Sequence, residues 1–437
     1  MKIAQVSLQF EATTTGGGGI HVEKITEHLM EMGYQVTVIS IHTSKTVGHA
    51  QLMDGPYPYS LERRDGEQIL RLLIDEGIAQ PYEGGKEAEV RRIREFCDAV
   101  AWWLARDPSR FDVVHLNGHH LIPGYLAWKL HKRGFTVVST VHFLESTLAG
   151  MEHFDASEET LAEMRRWEAL SRYADILVTA SPGMRRDLLE IMRDLGVNPE
   201  DVRPKMRMIS SGIDESSLMP VSKVKEKLAG IPNPVRILTF CRLDPSKGVE
   251  FAIRGTALAA ERTAYGLRLT VAGIPVGSYL GLLREEAERM IEAIPVDIRI
   301  FEAISTAEER NALLDGFQIY LFPTLNEPFG ITVLEAGARG LMVITTDAVG
   351  PRYILDSQQV HEAPWGYVTD FGICAKRTSD PAGNLAHNLS QAIGWTLDHW
   401  PESAGRALAF RRRIEEKHTW RRVAEAYLRE YEALVSQ

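Results

Sequence analysis

Val113-Val114-His115-Leu116, a helical stretch from Tyr125 to Lys132, and then Thr136-Val137-Val138-Ser139-Thr140-Val141-His142 form the unit on which the reading of the fold turns. The second run is almost continuously apolar, as a strand covered on both faces must be. Two such runs joined by a helix are a βαβ unit, so the strands run parallel. The pattern extends in both directions. Upstream, Lys2 to Leu8 reads as a strand, followed by the run Thr13-Thr14-Thr15-Gly16-Gly17-Gly18-Gly19. Ile20, Ile25, Leu29 and Met32 then fall on one helical face, and Gly33 stops that helix. Tyr34 to Ile41 and Gln68 to Ile74 read as strands, and residues 86–106 as a helix with Ile93, Phe96, Cys97, Val100 and Leu104 inward. Downstream come a helix from Leu161 to Tyr173 and the strand Ile176 to Ala180.

After Met219-Pro220 the pattern lapses. Ile231-Pro232-Asn233-Pro234 reads as a linker, and the alternation restarts at Val235. Strands are expected at Arg236–Phe240, Leu267–Ala272, Ile298–Phe301, Ile319–Phe322 and Met342–Thr345, with helices from Val249 and over Ile331–Gly340. Trp420, Val423, Ala424, Tyr427, Leu428, Tyr431 and Leu434 follow the helical i, i+3, i+4, i+7 rule, with Thr419 as the cap. The expectation is an α/β chain of two doubly wound sheets. Residues 1–218, rejoined by 419–437, make one domain, and 219–418 make the other.

Composition agrees with a globular chain of two or more domains: 437 residues, 44% hydrophobic and 25% charged. Lys plus Arg number 49 against 59 Asp plus Glu, a net charge of −10, which argues against a nucleic-acid partner. No run approaches the roughly 18 apolar residues of a spanning helix. The first residues lack the features of a signal peptide, so a cytoplasmic protein is expected. The three cysteines, Cys97, Cys241 and Cys374, have no metal-binding spacing and read as reduced, buried thiols.

Ligands of open parallel sheets bind beyond the carboxyl ends of the strands, so the polar residues that follow strands carry the chemistry. The glycine run after the first strand lets backbone approach an oxygen-rich ligand at a helix N-terminus, or is simply a flexible turn. The dinucleotide spacing is absent, because Val22 stands where its last glycine belongs. In Cys241-Arg242-Leu243-Asp244-Pro245-Ser246-Lys247-Gly248, two cations at a strand end could neutralise a diphosphate; the alternative is a solvated basic pair. Pro323-Thr324-Leu325-Asn326-Glu327-Pro328-Phe329-Gly330-Ile331-Thr332-Val333-Leu334-Glu335-Ala336 is the most specific stretch. Pro328 keeps Glu327 extended, and a helix beginning near Gly330 sets free N–H groups beside it. That arrangement suits sugar hydroxyls and phosphate oxygens, and equally a helix cap followed by an exposed Glu.

His119 and His120, near Asn117, read as loop histidines, as an acceptor contact or as a metal pair. The arginines between 91 and 110, with Trp102 and Trp103, suggest either a membrane-facing helix or a structural one; Glu95, Asp98 and Asp107 favour the latter.

Together these segments resemble the retaining GT-B glycosyltransferases, and more closely glycosyltransferase family 4. The likeness runs over nearly the whole chain. It rests on the glycine loop, Arg242-Leu243-x-x-x-Lys247-Gly248, Glu327-x7-Glu335, Tyr173-Ala174-Asp175 and Ser211-Gly212-Ile213-Asp214. It departs from the family pattern at Ser211-Gly212, where Asn-Gly is usual. It departs again at Val349-Gly350 and Tyr353, where Gly-Gly and an acidic residue are usual.

The resemblance implies two Rossmann-like domains facing across a cleft, and transfer from a nucleotide-diphosphate sugar, UDP-sugars foremost, to an acceptor hydroxyl. Arg242 and Lys247 would hold the diphosphate, and Glu327 the donor-sugar hydroxyls. The backbone of Phe329, Gly330, Ile331 and Thr332 would surround sugar and phosphate, and Glu335 would take the ribose hydroxyls. The segment from Phe301 to Ile304 would face the base. From the first domain, Gly17, Gly18 and Gly19 would approach the donor and His142 the donor sugar, with Asn117 and His119 on the acceptor side. No cofactor or metal is expected. A sugar-nucleotide epimerase, a phosphorylase and a non-catalytic nucleotide-sugar sensor are the rival readings.

Overall fold

A computed structural model describes residues 1–14, 17–46, 51–52, 55–64, 67–75, 77–81, 84–118, 121–148, 157–302, 306–358, 360–377 and 381–436. Of the expected site residues, His119 and Ile304 lie outside the described residues, as do Gly16 and His120.

The chain divides into two units, Met1–Ser211 with Trp420–Gln437, and Gly212–Thr419. The division falls earlier than the expected boundary at 218/219, for a physical reason. Ile213 N donates to His418 O at 2.9 Å, Arg339 Nη1 donates to Ser217 O at 3.0 Å, and Met219 N donates to Ala338 O at 2.9 Å. The segment after Ser211 is therefore bonded into the second unit. Thr419, read as the cap of the last helix, bridges to Ile213 and goes with it.

Among the described residues the first unit forms a nine-stranded sheet: β1 Lys2–Val6, β2 Gln35–Ile41, β3 Gln51–Leu52, β4 Tyr59–Arg64, β5 Glu67–Leu72, β6 Val113–Gly118, β7 Val137–Val141, β8 Ile176–Thr179 and β9 Met206–Met208. The order is β3-β4-β5-β2-β1-β6-β7-β8-β9. All pairs are parallel except β3·β4 and β4·β5. Alternate strand residues go to opposite cores. On one face Ala4, Val6, Ile39, Leu70 and Leu116 meet Ile93, Phe96, Cys97, Val100 and Leu104 of the helix Gly85–Ala105. On the other face Ile3, Val36, Val113 and Val138 meet Ile25 and Leu29, together with Val423, Ala424 and Tyr427 of the final helix Trp420–Val435. Each Val, Leu, Ile or Phe side chain so buried contributes about 1.5–3 kcal/mol. The helix Gly17–Glu31 presents His21, Val22 and Ile25 inward, while Ile20, expected inward, is exposed.

Among the described residues the second unit forms an eight-stranded sheet: β10 Val235–Phe240, β11 Leu267–Gly273, β12 Asp297–Glu302, β13 Ile319–Phe322, β14 Met342–Thr346, β15 Val360–Ala363, β16 Gly366–Thr369 and β17 Ile373–Ala375. Its order is β12-β11-β10-β13-β14-β17-β16-β15. The strands from β12 to β17 in that order pair in parallel, and β17, β16 and β15 close the edge antiparallel. In each unit the strand order reverses beside the first strand, at β1/β6 and at β10/β13. Those reversals are the topological switch points where open sheets leave room for ligands. Among the described residues, no helix is long and apolar enough to cross a membrane. Trp103 of the Arg- and Trp-containing helix is buried, and Arg110 lies 4.6 Å over its ring.

Candidate functional site

The second unit's switch point is built from the turns after β10 and β13. Asp244 organises the first turn: its carboxylate caps Ser246 N at 3.0 Å and accepts from the Ser246 hydroxyl and from Arg242 Nε, the last at 2.6 Å. These bonds hold the Asp244 carboxyl below the usual range despite its burial. The Arg242 side chain stays 63% exposed, so its guanidinium is anchored at Nε while facing outward. The turn Pro245–Lys247 ends at Gly248 (φ +59°), which opens the helix Val249–Ala260. A Cβ at Gly248 would stand 2.6 Å from the Pro323 carbonyl oxygen. Glycine is thus required for the two turns to approach each other.

That approach aligns the second turn. Leu325 N and Asn326 N both donate to Ser246 O, at 2.8 and 3.3 Å. Lys247 Nζ lies 3.0 Å from Glu327 Oε2 and 3.4 Å from Asn326 O. Phe329 N donates to Glu327 Oε1 at 3.4 Å, and Gly350 N to Glu327 O at 3.0 Å. Gly330 (φ +104°) starts the helix Ile331–Ala338, as the sequence predicts. Phe329 is buried, whereas Ile331 and Thr332 are half-exposed, and the first N–H groups of a helix have no partner within it. Glu335 follows on the second turn. Burial pushes its carboxyl up, Arg310 Nε at 3.3 Å draws it back, and Asp214 pushes the same way as burial. β12 ends at Glu302 with Phe301 exposed at the same edge of the sheet.

In the first unit the helix of the glycine run starts at Gly17, and Glu23 reaches back to accept from Glu11 N at 2.7 Å and from the Thr14 hydroxyl. A Cβ on Gly18 would stand 3.6 Å from His142 Cδ2, so the glycine loop and His142 are neighbours. His142 follows β7 and donates its backbone N–H to Gly118 O at 2.9 Å. Its ring meets His21 edge-on, with centroids 4.9 Å apart. Behind them lies a buried polar chain. Tyr431 Oη and His115 Nδ1 share a hydrogen bond of 2.7 Å, His115 Nε2 and Thr140 Oγ1 one of 2.7 Å, and Thr140 Oγ1 and Tyr427 Oη one of 2.9 Å. Burial pushes His115 down to about 3 and His21 well below its usual value, and His142 adds to both shifts.

Asn117, expected to face an acceptor, is 1% exposed and donates to Gln5 Oε1 at 2.8 Å. It stitches β6 to β1 instead of pointing outward. Sequence reading assigned Lys247 and Glu327 separate jobs, and the structure makes them one ion pair. It missed Arg310, Arg377, His21 and Tyr427, whose partners lie far along the chain. Among the described residues, no group of three or more His, Cys, Asp or Glu side chains could hold a metal ion.

The family model for family 4 glycosyltransferases in conflict systems matches residues 93–427, a span holding every one of these second-unit groups. The chain belongs to that family. It is a glycosyltransferase, and its two doubly wound sheets are those of the GT-B fold. Among curated relatives, the D-inositol 3-phosphate glycosyltransferase of Corynebacterium diphtheriae is 24% identical over 374 residues, 82% of each chain. The sucrose-phosphate synthase of Thermosynechococcus elongatus superposes with a TM-score of 0.69 at 18% identity, over 100% of this chain and 99% of that one. A trehalose-6-phosphate protein of E. coli, solved with UDP-2-fluoro glucose, gives a TM-score of 0.66 at 13% identity, over 99% of both chains.

Proposed function

We propose that this glycosyltransferase moves a sugar from a nucleotide-diphosphate sugar, UDP-sugars first, to an acceptor hydroxyl with retention at the anomeric carbon. The observation that carries the reading is the Lys247–Glu327 pair at 3.0 Å on the β10/β13 switch point, with Arg242 in the same turn and Glu335 one helix turn beyond. In this reading Arg242 and Lys247 hold the diphosphate and Glu327 accepts donor-sugar hydroxyls. The Phe329–Thr332 backbone borders both, Glu335 takes the ribose hydroxyls, and the segment containing Ile304 faces the base. Gly17, Gly18, Gly19 and His142 serve the donor from the first unit, and His119 the acceptor. Asn117 supports that edge from inside the sheet. The preference for UDP is supported by the E. coli protein of the same fold, solved with UDP-2-fluoro glucose.

Both Glu327 oxygens are engaged, one by Lys247 and one by Phe329 N, which suits hydroxyl binding better than nucleophilic attack. The acceptor oxygen therefore bonds to the anomeric carbon on the face from which the phosphate departs. The anomeric C–O bond breaks through an oxocarbenium-like state. The departing phosphate oxygen takes the acceptor's proton, while Arg242 and Lys247 stabilise the charge left on the diphosphate. Two cations at that position leave no need for a metal, so turnover is expected to survive EDTA.

The test is incubation with UDP-, GDP- and ADP-sugars without acceptor, followed by proton NMR of the anomeric signal. Slow hydrolysis of one donor to the sugar of unchanged anomeric configuration supports the reading. Inversion overturns the retaining mechanism. Tight binding of every donor with no hydrolysis favours a sensor.

A further inference from the structure

Arg377 follows β17 and links three segments of the second unit. Its backbone N and its Nε both donate to Asp347 Oδ1, at 3.0 and 2.9 Å. Nη1 donates to Leu325 O at 2.6 Å, and Nη2 reaches Asp347 O at 3.4 Å. Asp347, just after β14, is itself anchored through its N–H to Ala375 O at 2.9 Å. The guanidinium fork therefore ties the ends of β14 and β17 to the turn after β13, two residues before Glu327. On its other side that turn hangs from Ser246 O, and Gly350 N, three residues after Asp347, holds Glu327 O.

We propose that Arg377 is a positioning residue for sugar transfer. It fixes the Leu325–Glu327 turn so that the Glu327 carboxylate meets the donor sugar, and it touches neither nucleotide nor diphosphate. The inference rests on the reading of Glu327 as the sugar contact. Arginine suits this task because its planar fork can satisfy acceptors in two loops at fixed angles, which a lysine ammonium cannot. The pair with Asp347 is partly exposed, 36% and 26% by side chain, and such pairs add little to global stability. Its effect is then on the geometry of one turn, where a displacement of about 1 Å can cost ~100-fold in rate.

The experiment compares Arg377→Met, Arg377→Lys and Glu327→Gln in the full chain, using the nucleotide sugar hydrolysed fastest and UDP as the binding probe. Arg377→Met should lower kcat by ~10–100-fold, with UDP affinity and thermal midpoint unchanged. Arg377→Lys should recover part of the loss. The double variant Arg377→Met/Glu327→Gln should lose no more than Glu327→Gln alone, because both act through one carboxylate. If Arg377→Met does not fold, Arg377→Gln carries the same comparison. Wild-type kcat in the Arg377 variants, with Glu327→Gln crippled, overturns the positioning role alone. Equal loss of kcat and UDP affinity overturns it in favour of a nucleotide contact. Wild-type kcat in Glu327→Gln overturns the site reading and the inference together.

Discussion

Lys247 Nζ and Glu327 Oε2 stand 3.0 Å apart, each side chain less than one-fifth exposed. The pair joins the turn after β10 to the turn after β13, across the point where the strand order reverses. A diphosphate bound by Lys247 must share the ammonium with Glu327, and a sugar bound by Glu327 meets a carboxylate whose charge is already partly balanced. Under the proposed function, diphosphate and sugar recognition would be coupled through this one ion pair.

Lys247→Ala is expected to raise the barrier by about 2–4 kcal/mol, the loss typical of removing one stabilising donor. It also strands a largely buried carboxylate. Glu327→Gln should lower kcat more than UDP affinity. The double variant should fall short of the summed losses, because the residues are in contact. Full additivity in kcat would show that the pair is not coupled, and near-normal turnover in Lys247→Ala would remove this residue from the diphosphate site.

Gly248→Ala should lower both the thermal midpoint and kcat. The position has φ +59°, and a Cβ would stand 2.6 Å from the Pro323 carbonyl oxygen. Forcing an L side chain there costs about 1–3 kcal/mol and pushes the turn after β13 outward. Gly277→Ala is the control. It also has positive φ, +57°, but a Cβ there meets nothing within 4 Å. Its cost is limited to the backbone, and kcat should hold. Equal kcat losses in the two variants would make the Gly248 effect one of stability.

Where the sequence was informative, the signal was local. The strand Ile319–Phe322 was legible to the residue because four apolar residues sit between a polar stretch and a proline turn. Gly330 opens the expected helix because Pro328 bars Glu327 from the helical region. What stayed hidden depended on tertiary partners. β4, Tyr-Ser-Leu-Glu-Arg-Arg, is too polar to announce itself and exists by pairing antiparallel with β5. β15 is mostly exposed and is made by its hairpin with β16. Arg310 and Arg377 look like ordinary surface charges until the fold brings Glu335 and Leu325 beside them. Asn117, expected on the acceptor side, is buried against Gln5, a placement that its polar character at a strand end does not announce.

The first unit should lose stability in mild acid. His115 is buried, bonded to Thr140 and Tyr431 and packed on the Tyr427 ring; burial and, secondarily, His142 hold its folded value at about 3. The unfolded imidazole titrates near 6.5. Between those values the unfolded chain binds the extra proton, so stability rises with pH across the window and is lost as pH falls from about 6.5 toward 3. His21 shifts in the same direction. By pH 5 the loss from His115 is ~2 kcal/mol. Urea unfolding at pH 7 and pH 5 checks this. His115→Gln should flatten the dependence, and an unaltered slope in that variant would assign the acid sensitivity elsewhere.

Glu335 carries the most specific pH prediction for function. Burial and Asp214 raise its carboxyl above the ordinary range, and Arg310 opposes them from the helix Ala307–Asp315. In the proposed site, ribose hydroxyls would donate to the ionised carboxylate, at about 1.5–3 kcal/mol per charged hydrogen bond. UDP affinity should therefore weaken as pH falls through the raised value, in a range where an ordinary Glu would still be ionised. Glu335→Gln should weaken UDP binding at neutral pH and abolish that pH dependence, with a smaller effect on kcat. Arg310→Met removes a cation that holds the carboxylate ionised, so its UDP affinity should begin to fall at higher pH than in the wild type. Calorimetric titration of UDP from pH 5 to pH 8 resolves the three curves. If Arg310→Met follows the wild-type curve, the Arg310 contact at 3.3 Å does not govern the charge on Glu335. If Glu335→Gln keeps full UDP affinity, this carboxylate does not bind the ribose.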